Sequence, residues 1–523
     1  MKNNNERMID LAKKRKVNKK NVTAAVLITV GNILFFFTVW LLRQYDHIYL
    51  DQVLFQLKAP AVGANRSLAG GAVVSVGFFG ILLTGIEIFL YTVLGGYMNK
   101  WKEKSKGYAK YCLGNVCAFF RKTALPAALS TLLVACTLFV AKLEVVDYIS
   151  VSSTKSDFII ENYVDSATVK MTFPEKKRNL VYIFLESMES TYADTEAGGN
   201  ITDNFISELT SLAEENINFS PNEKIGGALS YSGTTWTAAA MVAQTSGMLI
   251  KVPIAGGTYG GENAFLPGVN TIGEILANEG YNQTLLVGSD AEFGGRRSYF
   301  TEHGNYNIVD INSLKADGRL PEDYREWWGY EDKKLFEFAK QEAQKLYETG
   351  EPFNLTMLTA DTHFPDGYVC EDCEQKYDNQ YANVLSCSSR MVNEFIEWLK
   401  LQPFYENTTV VICGDHLTMD PEFLKDINQD YTRTVYNCFI NSAVQPQKEK
   451  QRLFGTFDMF PTTLAAMGVK IEGERLGMGT NLFSATPTLT ERYGHTVLDG
   501  ELQKKSLFYN EQILEMESPE IIF

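Results

Sequence analysis

The stretch 408–417, TTVVICGDHL, is a short, unbroken apolar run that ends in a polar turn. A run of this kind is typical of a strand buried on both faces of a sheet. Asp415 and His416 follow the run directly, after Gly414. Because ligands bind beyond the carboxyl ends of the strands in open α/β sheets, this turn predicts a binding site.

Three further stretches have the same character: NLVYIFL at 179–185, NQTLLVG at 282–288 and FNLTMLT at 353–359. Patterns with helical spacing lie between the runs, at 203–216, 270–279, 331–348 and 388–401. Strands that alternate with helices favour a mostly parallel sheet covered by helices on both faces. The predicted fold class is therefore α/β.

The first 143 residues contain three long apolar runs, roughly 22–42, 71–94 and 124–141. Each run is close to the ~20 residues that a helix needs to cross a bilayer. No clear small-x-small cleavage site follows Leu42, so we interpret the first run as a retained anchor rather than a signal peptide.

The basic residues predict the orientation of this anchor. Residues 1–21 carry eight Lys/Arg and 97–122 carry seven, whereas 43–68 carry three. The positive-inside rule then places the N-terminus in the cytoplasm of a cell-membrane protein and everything after about Leu143 outside. The predicted parts are a cytoplasmic N-terminus (1–21), a transmembrane region (22–143), a linker (144–175) and an extracytoplasmic catalytic domain (176–523).

Two features of the anchor region have alternative interpretations. The segment 43–68 is apolar but broken by Pro60 and Gly63, and it either lies along the outer membrane surface or is a plain connecting loop. Glu87 stands alone in the second run, where an acid is either functional or makes a helix–helix contact.

Charge divides the chain sharply. Residues 1–143 hold 19 Lys/Arg and 6 Asp/Glu, whereas the remaining residues hold 29 Lys/Arg and 57 Asp/Glu. An acidic outer domain argues against nucleic-acid binding, and local groups must hold any anionic substrate. In that domain Cys370, Cys373 and Cys387 lie close together in the sequence, which predicts a disulfide to Cys387 with the pairing left open.

Acids and imidazoles at strand ends indicate a metal site. Glu186, Asp415 and His416 supply two carboxylates and one imidazole, and a hydroxyl would complete a four-ligand site for one divalent cation. Mostly oxygen ligands favour Mn²⁺ or Mg²⁺, and the imidazole also suits Zn²⁺. Glu186 alone is equally well explained as a helix cap or a surface acid.

The stretch 233–247, GTTWTAAAMVAQTSG, predicts a helix that stops at Gly247. Thr237 would lie at its N-terminus, where unpaired backbone N–H groups favour an anion. From the spacing alone, a simple helix cap by Thr234, Thr235 or Thr237 is the better interpretation.

Two more side chains are candidates for contacts with a phosphate group. Arg296 lies in GGRR at 294–297, after the second strand, and is either a phosphoryl ligand or a surface arginine. His363 follows the third run and is a candidate general acid or phosphate ligand.

Taken in order, these stretches resemble the lipoteichoic acid synthase and glucan phosphoglycerol transferase family, within the sulfatase-like, alkaline-phosphatase-type superfamily. The resemblance covers roughly 178–482, and the alanines after Thr237 are closer to the glucan branch. We find no Cys-x-Pro-x-Arg element of the kind formylglycine sulfatases need. The motifs that carry the resemblance are NLVYIFLESMES, GTTWTAAAMVAQTSG, FGGRRSYFTEHG, ADTHFPDGY, ICGDHL, LFGTFDMFPTTLAAMGV and ERLGMGTNLFS.

This resemblance implies an alkaline-phosphatase/sulfatase-like catalytic domain with Thr237 as its nucleophile. It implies substrate-phosphate contacts from Arg296 and His363, and one divalent metal, with Mn²⁺ favoured over Mg²⁺ or Zn²⁺. The implied metal ligands are Glu186, Thr237, Asp415 and His416.

The implied activity moves glycerophosphate from phosphatidylglycerol to an extracytoplasmic glycan or teichoic-type polymer, through a phosphothreonine, and releases diacylglycerol. Within enzymes, the alternatives are a phosphoethanolamine transferase or a phosphodiesterase of the same superfamily. An inactive metal-binding membrane scaffold is the alternative outside enzymes.

Overall fold

The computed structural model describes residues 19–45, 48–64, 70–94, 101, 103–253, 259–260, 264–420, 422–428 and 430–514. The described residues form two compact units. One unit consists of the described residues within 1–48 and 66–147, and the other consists of the described residues within 49–65 and 148–523. Most of the basic stretch 1–21 lies outside the described residues.

The first unit contains three helices that are long and apolar enough to cross a membrane: Lys19–Gln44, Gly70–Tyr91 and Tyr108–Lys142. The three predicted spans are thereby confirmed as helices. The third begins well before residue 124, so Pro126 lies in the helix interior. Proline is tolerated inside membrane helices because neighbouring groups satisfy the backbone that it leaves unpaired.

Glu87 makes a helix–helix contact inside this unit. The side-chain amide of Asn32 donates to Glu87 Oε2 at 2.9 Å and to Thr84 Oγ1 at 3.2 Å. A Cβ on Gly31 would lie 3.0 Å from the backbone nitrogen of Leu132, so two helices approach closely there. Small residues and polar pairs are the usual means of joining helices in a membrane.

The second unit is built on a seven-stranded sheet with the order β3-β8-β7-β2-β6-β4-β5. The strands β7, β2, β6, β4 and β5 run parallel, whereas β8 pairs antiparallel with β7 and with β3 at one edge. Two small antiparallel ribbons pair β1 with β9 and β10 with β11. The strands are β1 (Met171–Thr172), β2 (Asn179–Leu185), β3 (Gly227–Ala228), β4 (Asn282–Val287), β5 (Asn307–Val309), β6 (Phe353–Leu358), β7 (Thr408–Gly414), β8 (Val435–Ile440), β9 (Lys470–Ile471), β10 (Arg475–Leu476) and β11 (Gly479–Thr480).

Helices cover both faces of this sheet, which confirms the predicted fold class. The four predicted strands are β2, β4, β6 and β7. The helix predicted at 388–401 begins earlier, at Gln380. The helices of this unit and its junction are α1 (Leu50–Lys58), α2 (Val145–Ser153), α3 (Phe158–Asn162), α4 (Ser207–Glu215), α5 (Thr237–Ser246), α6 (Ile272–Asn278), α7 (Arg296–Glu302), α8 (Ile311–Ala316), α9 (Asp332–Glu348), α10 (Gln380–Lys400), α11 (Met459–Ala466), α12 (Leu489–Tyr493) and α13 (His495–Gln503).

The central strand β2 divides the core in two. Tyr182 and Phe184 belong to the cluster that packs against α5, α6 and α11. Ile183 and Leu185 belong to the opposite cluster, which packs against α4, α9 and α10. Because alternate side chains of a strand point to opposite faces, a strand buried on both faces must be apolar throughout.

Two stretches for which the sequence did not predict helices or strands contain such elements in the structure. Part of the segment 43–68 forms α1, which packs in the second unit and buries Phe55 completely. It is therefore more than a plain connecting loop. Within the predicted linker 144–175, α2, α3 and β1 form, and β1 pairs with β9. The domain boundaries themselves stay predictions.

Candidate metal centre and active site

The carboxyl ends of β2 and β7 bring the predicted metal ligands together. The two strands are parallel neighbours in a register that places Leu185 opposite Gly414. Glu186 follows β2, and Asp415 and His416 follow β7. The backbone N–H of Asp415 donates to Leu185 O at 3.0 Å, which holds the two turns side by side.

Glu186, Asp415 and His416 form a compact, buried cluster. One potential ligand atom from each lies within 4.8 Å of the others. His416 Nε2 is 3.5 Å from Asp415 Oδ2 and 3.7 Å from Glu186 Oε1. Thr237 Oγ1 completes the group, at 3.3 Å from Glu186 Oε2 and 3.4 Å from His416 Nε2. The structure thus brings together all four predicted ligands.

Thr237 begins α5 without capping it. The residue before it, Trp236, is extended (φ −140°, ψ 157°), and no side chain caps the helix. Thr234 Oγ1 instead donates to Tyr231 O at 2.9 Å. The Thr237 hydroxyl is therefore available at a helix N-terminus, where the unpaired backbone N–H groups favour an anion.

The hydrogen bonds around the cluster suit a divalent cation. Asp415 Oδ1 accepts from the backbone N–H groups of Ser187 and His416, each at 2.7 Å, whereas Oδ2 is buried with no hydrogen-bond partner among the described residues. His416 Nδ1 lies 2.8 Å from Leu417 O. A carbonyl only accepts, so Nδ1 carries a proton and the neutral ring presents a lone pair at Nε2. These residues fit a metal with oxygen and nitrogen ligands.

The electrostatics of the cluster point the same way. Burial and, after it, the charge of Glu186 together raise the pKa of Asp415 to about 7. Burial alone would lower the pKa of His416, but the charges of Asp415 and Glu186 outweigh it and raise that pKa. A cation bound between buried acids this close together would offset the repulsion between their charges and favour their charged forms.

Arg296 is a buried cation held by a fixed set of acceptors. Its guanidinium donates to Ser289 Oγ at 2.9 Å, Asp290 O at 3.1 Å and Phe293 O at 3.0 Å. Burial lowers the pKa of Arg296 to about 10, with the charge of Glu186 opposing the shift most strongly. The side chain stays charged at neutral pH, and the structure does not place it on the protein surface.

His363 lies between aromatic rings on the loop after β6. Its ring is 4.6 Å from that of Trp328 and 4.8 Å from that of Phe364, and Nδ1 is 2.6 Å from Phe364 O. Burial lowers the pKa of His363, and the charge of Glu186 opposes this. Glu186 therefore acts electrostatically on both predicted phosphate ligands.

The sequence analysis did not predict several residues that support the site. Gln244 on α5 accepts from Tyr182 OH at 2.9 Å and donates to Gly414 O at 3.0 Å, which joins α5 to β2 and β7. Its only signal in the sequence was a polar residue that follows a run of six apolar residues, 238–243. Buried Glu189 accepts from Arg433 at 2.6 and 2.8 Å.

The three cysteines that the sequence analysis noted lie close together in the structure. Cys370 Sγ is 3.4 Å from Cys373 Sγ and 3.7 Å from Cys387 Sγ. Cys370 is thus the shared neighbour of both other thiols. The disulfide to Cys387 stays a prediction.

Comparison with known proteins identifies the family. A family model described as Sulfatase matches residues 178–469. The chain belongs to the sulfatase family. This result and the relatives below confirm the resemblance to sulfatase-like phosphoglycerol transferases that the motifs indicated.

Among curated proteins, phosphoglycerol transferase I of Salmonella choleraesuis is 33% identical over 321 residues, which cover 60% of this chain and 40% of that protein. Phosphoglycerol transferase I of Escherichia coli is 32% identical over 321 residues, with the same coverage. The chain therefore matches about 40% of the length of these relatives.

Among solved structures, an integral membrane lipooligosaccharide phosphoethanolamine transferase from Neisseria meningitidis has a TM-score of 0.51 at 14% identity, covering 86% of this chain and 84% of that one. A lipoteichoic acid synthase from Listeria monocytogenes has a TM-score of 0.45 at 16% identity, covering 62% of this chain and 80% of that one. The first likeness supports the fold.

Proposed function

We propose that this protein is a metal-dependent phosphoglycerol transferase of the cell membrane. It would move glycerophosphate from phosphatidylglycerol to an extracytoplasmic glycan or teichoic-type polymer and release diacylglycerol. The observation that carries the proposal is the Thr237 hydroxyl, within 3.4 Å of both Glu186 and His416 at a helix N-terminus. The identity to proteins named phosphoglycerol transferase I supports the choice of headgroup.

Glu186, Asp415, His416 and Thr237 are the proposed ligands of one divalent metal, with Mn²⁺ favoured. When bound, such an ion acts as a Lewis acid that lowers the pKa of a coordinated hydroxyl and offsets phosphoryl charge. The remaining work falls to the chain itself. The first N–H groups of α5 and the buried Arg296 cation offer the phosphoryl oxygens hydrogen-bond donors and positive charge.

Two displacements at phosphorus then complete the transfer. In the first, the bond from Thr237 Oγ to phosphorus forms, and the bond to the diacylglycerol oxygen breaks. The proton of the threonine hydroxyl is proposed to pass to Glu186, whose Oε2 accepts its hydrogen bond, and protonated His363 is proposed to give a proton to the departing oxygen. In the second, an acceptor hydroxyl attacks phosphorus and gives its proton to His363, while the bond from phosphorus to Thr237 Oγ breaks and that oxygen regains its proton from Glu186.

The three candidate spans would hold this site at the membrane that contains its donor lipid, which raises the effective concentration of donor without new contacts. The distribution of basic residues supports a cytoplasmic N-terminus and an extracytoplasmic catalytic domain. The complete set of four ligands speaks against an inactive scaffold.

The test uses purified full-length protein with Mn²⁺ and labelled phosphatidylglycerol, and it follows diacylglycerol release. We expect release that needs metal and is abolished in Thr237→Ala. The matched control, Thr202→Ala at an exposed position, should behave as wild type.

No release by wild type with metal bound would exclude phosphatidylglycerol as the donor. Release from phosphatidylethanolamine instead would indicate a phosphoethanolamine transferase, and transfer to water alone a phosphodiesterase. Thr237→Ala protein that complements a null strain would favour the scaffold.

A further inference from the structure

A segment that lies between the first two candidate spans in the sequence is part of the catalytic unit. We call residues 49–64 the inter-span segment; it consists of α1 and the turn after it. Its apolar side, which includes Val53 and Phe55, is buried, whereas Gln56 and Leu57 on the same helix are exposed. A nine-residue helix is not stable alone in water, so its packing partners maintain it.

The inter-span segment holds the two residues that precede the nucleophile. Gln52 Nε2 donates to Thr235 Oγ1 at 2.7 Å and approaches Thr235 O at 3.4 Å. The ring of Phe55 lies 5.2 Å from that of Trp236. Trp236 is the extended residue from which the chain turns into α5 at Thr237. The direction in which the Thr237 side chain enters the metal cluster therefore depends on residues that this segment contacts.

The same segment holds the loop that carries Arg296. Pro60 O accepts from the backbone N–H of Gly294 at 3.1 Å. A Cβ on Gly63 would lie 2.6 Å from Asp290 Cβ, so the turn packs directly on Asp290, whose carbonyl accepts from Arg296. One short segment therefore contacts both the nucleophile loop and the arginine loop.

The segment also acts electrostatically on a buried lysine of the same unit. Asp51 at the start of α1 and Asp499 on α13 are the two acids whose charges favour the charged form of Lys251. Burial lowers the pKa of Lys251 to about 8 in spite of them. Removing the segment would leave a buried lysine with one acid fewer.

We propose that the inter-span segment is a structural part of the active site and that Gln52 is a positioning residue for Thr237. The segment fixes the nucleophile loop and the arginine loop relative to each other, so the transfer reaction requires the first outer loop of the anchor. The nature of that reaction rests on the proposed function; the positioning does not.

The test compares Gln52→Met, which keeps the volume but removes both contacts to Thr235, with Gln56→Met at an exposed position of the same helix. For diacylglycerol release by the full-length protein, we expect kcat to fall about five- to tenfold in Gln52→Met, the effect of losing one well-formed hydrogen bond. KM for the lipid should change less than twofold. Gln56→Met should match wild type.

The reciprocal variant, Thr235→Val, removes the same bond from the other side. If the bond is what matters, the double variant Gln52→Met/Thr235→Val should lose no more activity than either single variant. Thr235→Val also keeps the test valid should Gln52→Met fail to fold. Losses that multiply in the double variant would overturn the proposal.

Hydrogen exchange separates this proposal from the proposed function. In the full-length protein, peptides that cover 234–240 should exchange their amide hydrogens faster in Gln52→Met than in wild type. In Gln56→Met, the exchange rate of these peptides should equal that of wild type. If wild type releases no diacylglycerol, the proposed function fails, and the exchange result still decides the positioning role. Unchanged exchange at 234–240 in Gln52→Met would overturn it.

Discussion

At the scale of single residues, Asp415 is the side chain on which metal binding should depend most. One of its oxygens accepts two backbone N–H groups, and the other is buried without a partner. Burial is the main cause that raises its pKa to about 7, so the charged form of this acid is disfavoured in the metal-free protein. A bound cation would remove that preference.

We predict that Mn²⁺ raises the unfolding temperature of wild type but not of Asp415→Asn, because a ligand stabilises the folded state only if it binds there. Without metal, the variant should be at least as stable as wild type. The folded pKa exceeds the unfolded one, so this group stabilises the fold at low pH and loses that effect as pH rises through about 7. The advantage of the variant should therefore grow between pH 5 and pH 7.

Thermal unfolding followed by intrinsic fluorescence, with and without Mn²⁺, measures both effects. Exposed Asp203→Asn is the control and should retain the response to Mn²⁺. A rise with Mn²⁺ that persists in Asp415→Asn would contradict the proposed ligand set.

A second carboxyl pair supports the loop that carries His363. The two oxygens of Asp332 accept from the backbone N–H groups of Ala360 at 2.7 Å and Asp361 at 3.0 Å. One Asp361 oxygen is buried without a partner. Burial, together with the charge of Asp332, raises the pKa of Asp361 well above its usual range, which favours its neutral form.

We predict that Asp361→Asn changes the free energy of unfolding by less than about 0.5 kcal/mol at pH 7, because it replaces one neutral group by another. Asp332→Asn should cost ~1–3 kcal/mol, since its amide cannot accept both N–H groups. Denaturant unfolding of the two variants beside wild type measures this. Equal losses in both would show that Asp361 is charged.

At the scale of elements, α5 both carries the proposed nucleophile and packs in the core. It begins at Thr237 and ends at Gly247, which adopts a left-handed conformation (φ 68°). A Cβ on Gly247 would lie 2.9 Å from Leu476 O, so the end of the helix also packs against β10. Gln244 links its middle to β2 and β7. The position of Thr237 thus follows from contacts along the whole helix.

We predict that Gly247→Ala destabilises the protein by roughly 2–3 kcal/mol, through backbone strain and overpacking together. The matched control is Gly350→Ala, where φ is 77° but a Cβ would meet nothing within 4 Å. It should cost only the strain, ~1 kcal/mol. Unfolding midpoints in denaturant compare the two. Equal costs would mean that the helix end tolerates the added carbon.

At the scale of the whole molecule, the chain enters the catalytic unit twice. The inter-span segment joins this unit before the second candidate span, and the rest of the chain joins it after residue 147. Such a unit cannot be detached by a single break in the chain, because each piece retains part of the core.

We predict that a protease site inserted after Glu144, in the turn between the third span and α2, leaves residues 145–523 bound to the 1–144 fragment after cleavage. Phe55 is fully buried in the interface between the pieces. Affinity capture of a tag on the N-terminus measures retention. Phe55→Ala should weaken retention. Recovery of residues 145–523 in the soluble fraction after cleavage of the protein that keeps Phe55 would contradict the prediction.

The sequence by itself determined four of the strands (β2, β4, β6 and β7), the three long apolar helices and the family. Strands buried on both faces must be continuously apolar, and spans must be long and apolar, so both are visible in local sequence. The polar residues at the strand ends followed from the same pattern, and the parallel register of β2 and β7 brought them together. Their roles in metal binding and catalysis stay predictions.

Only the tertiary structure decided where the inter-span segment lies and how Thr237 is held. Gln52 and Thr235 are 183 residues apart, and neither has a local pattern that names its partner. Gln244 is likewise a single polar residue whose partners lie on two strands. Long-range contacts of this kind depend on the packed geometry of the whole unit, which periodicity and composition do not encode.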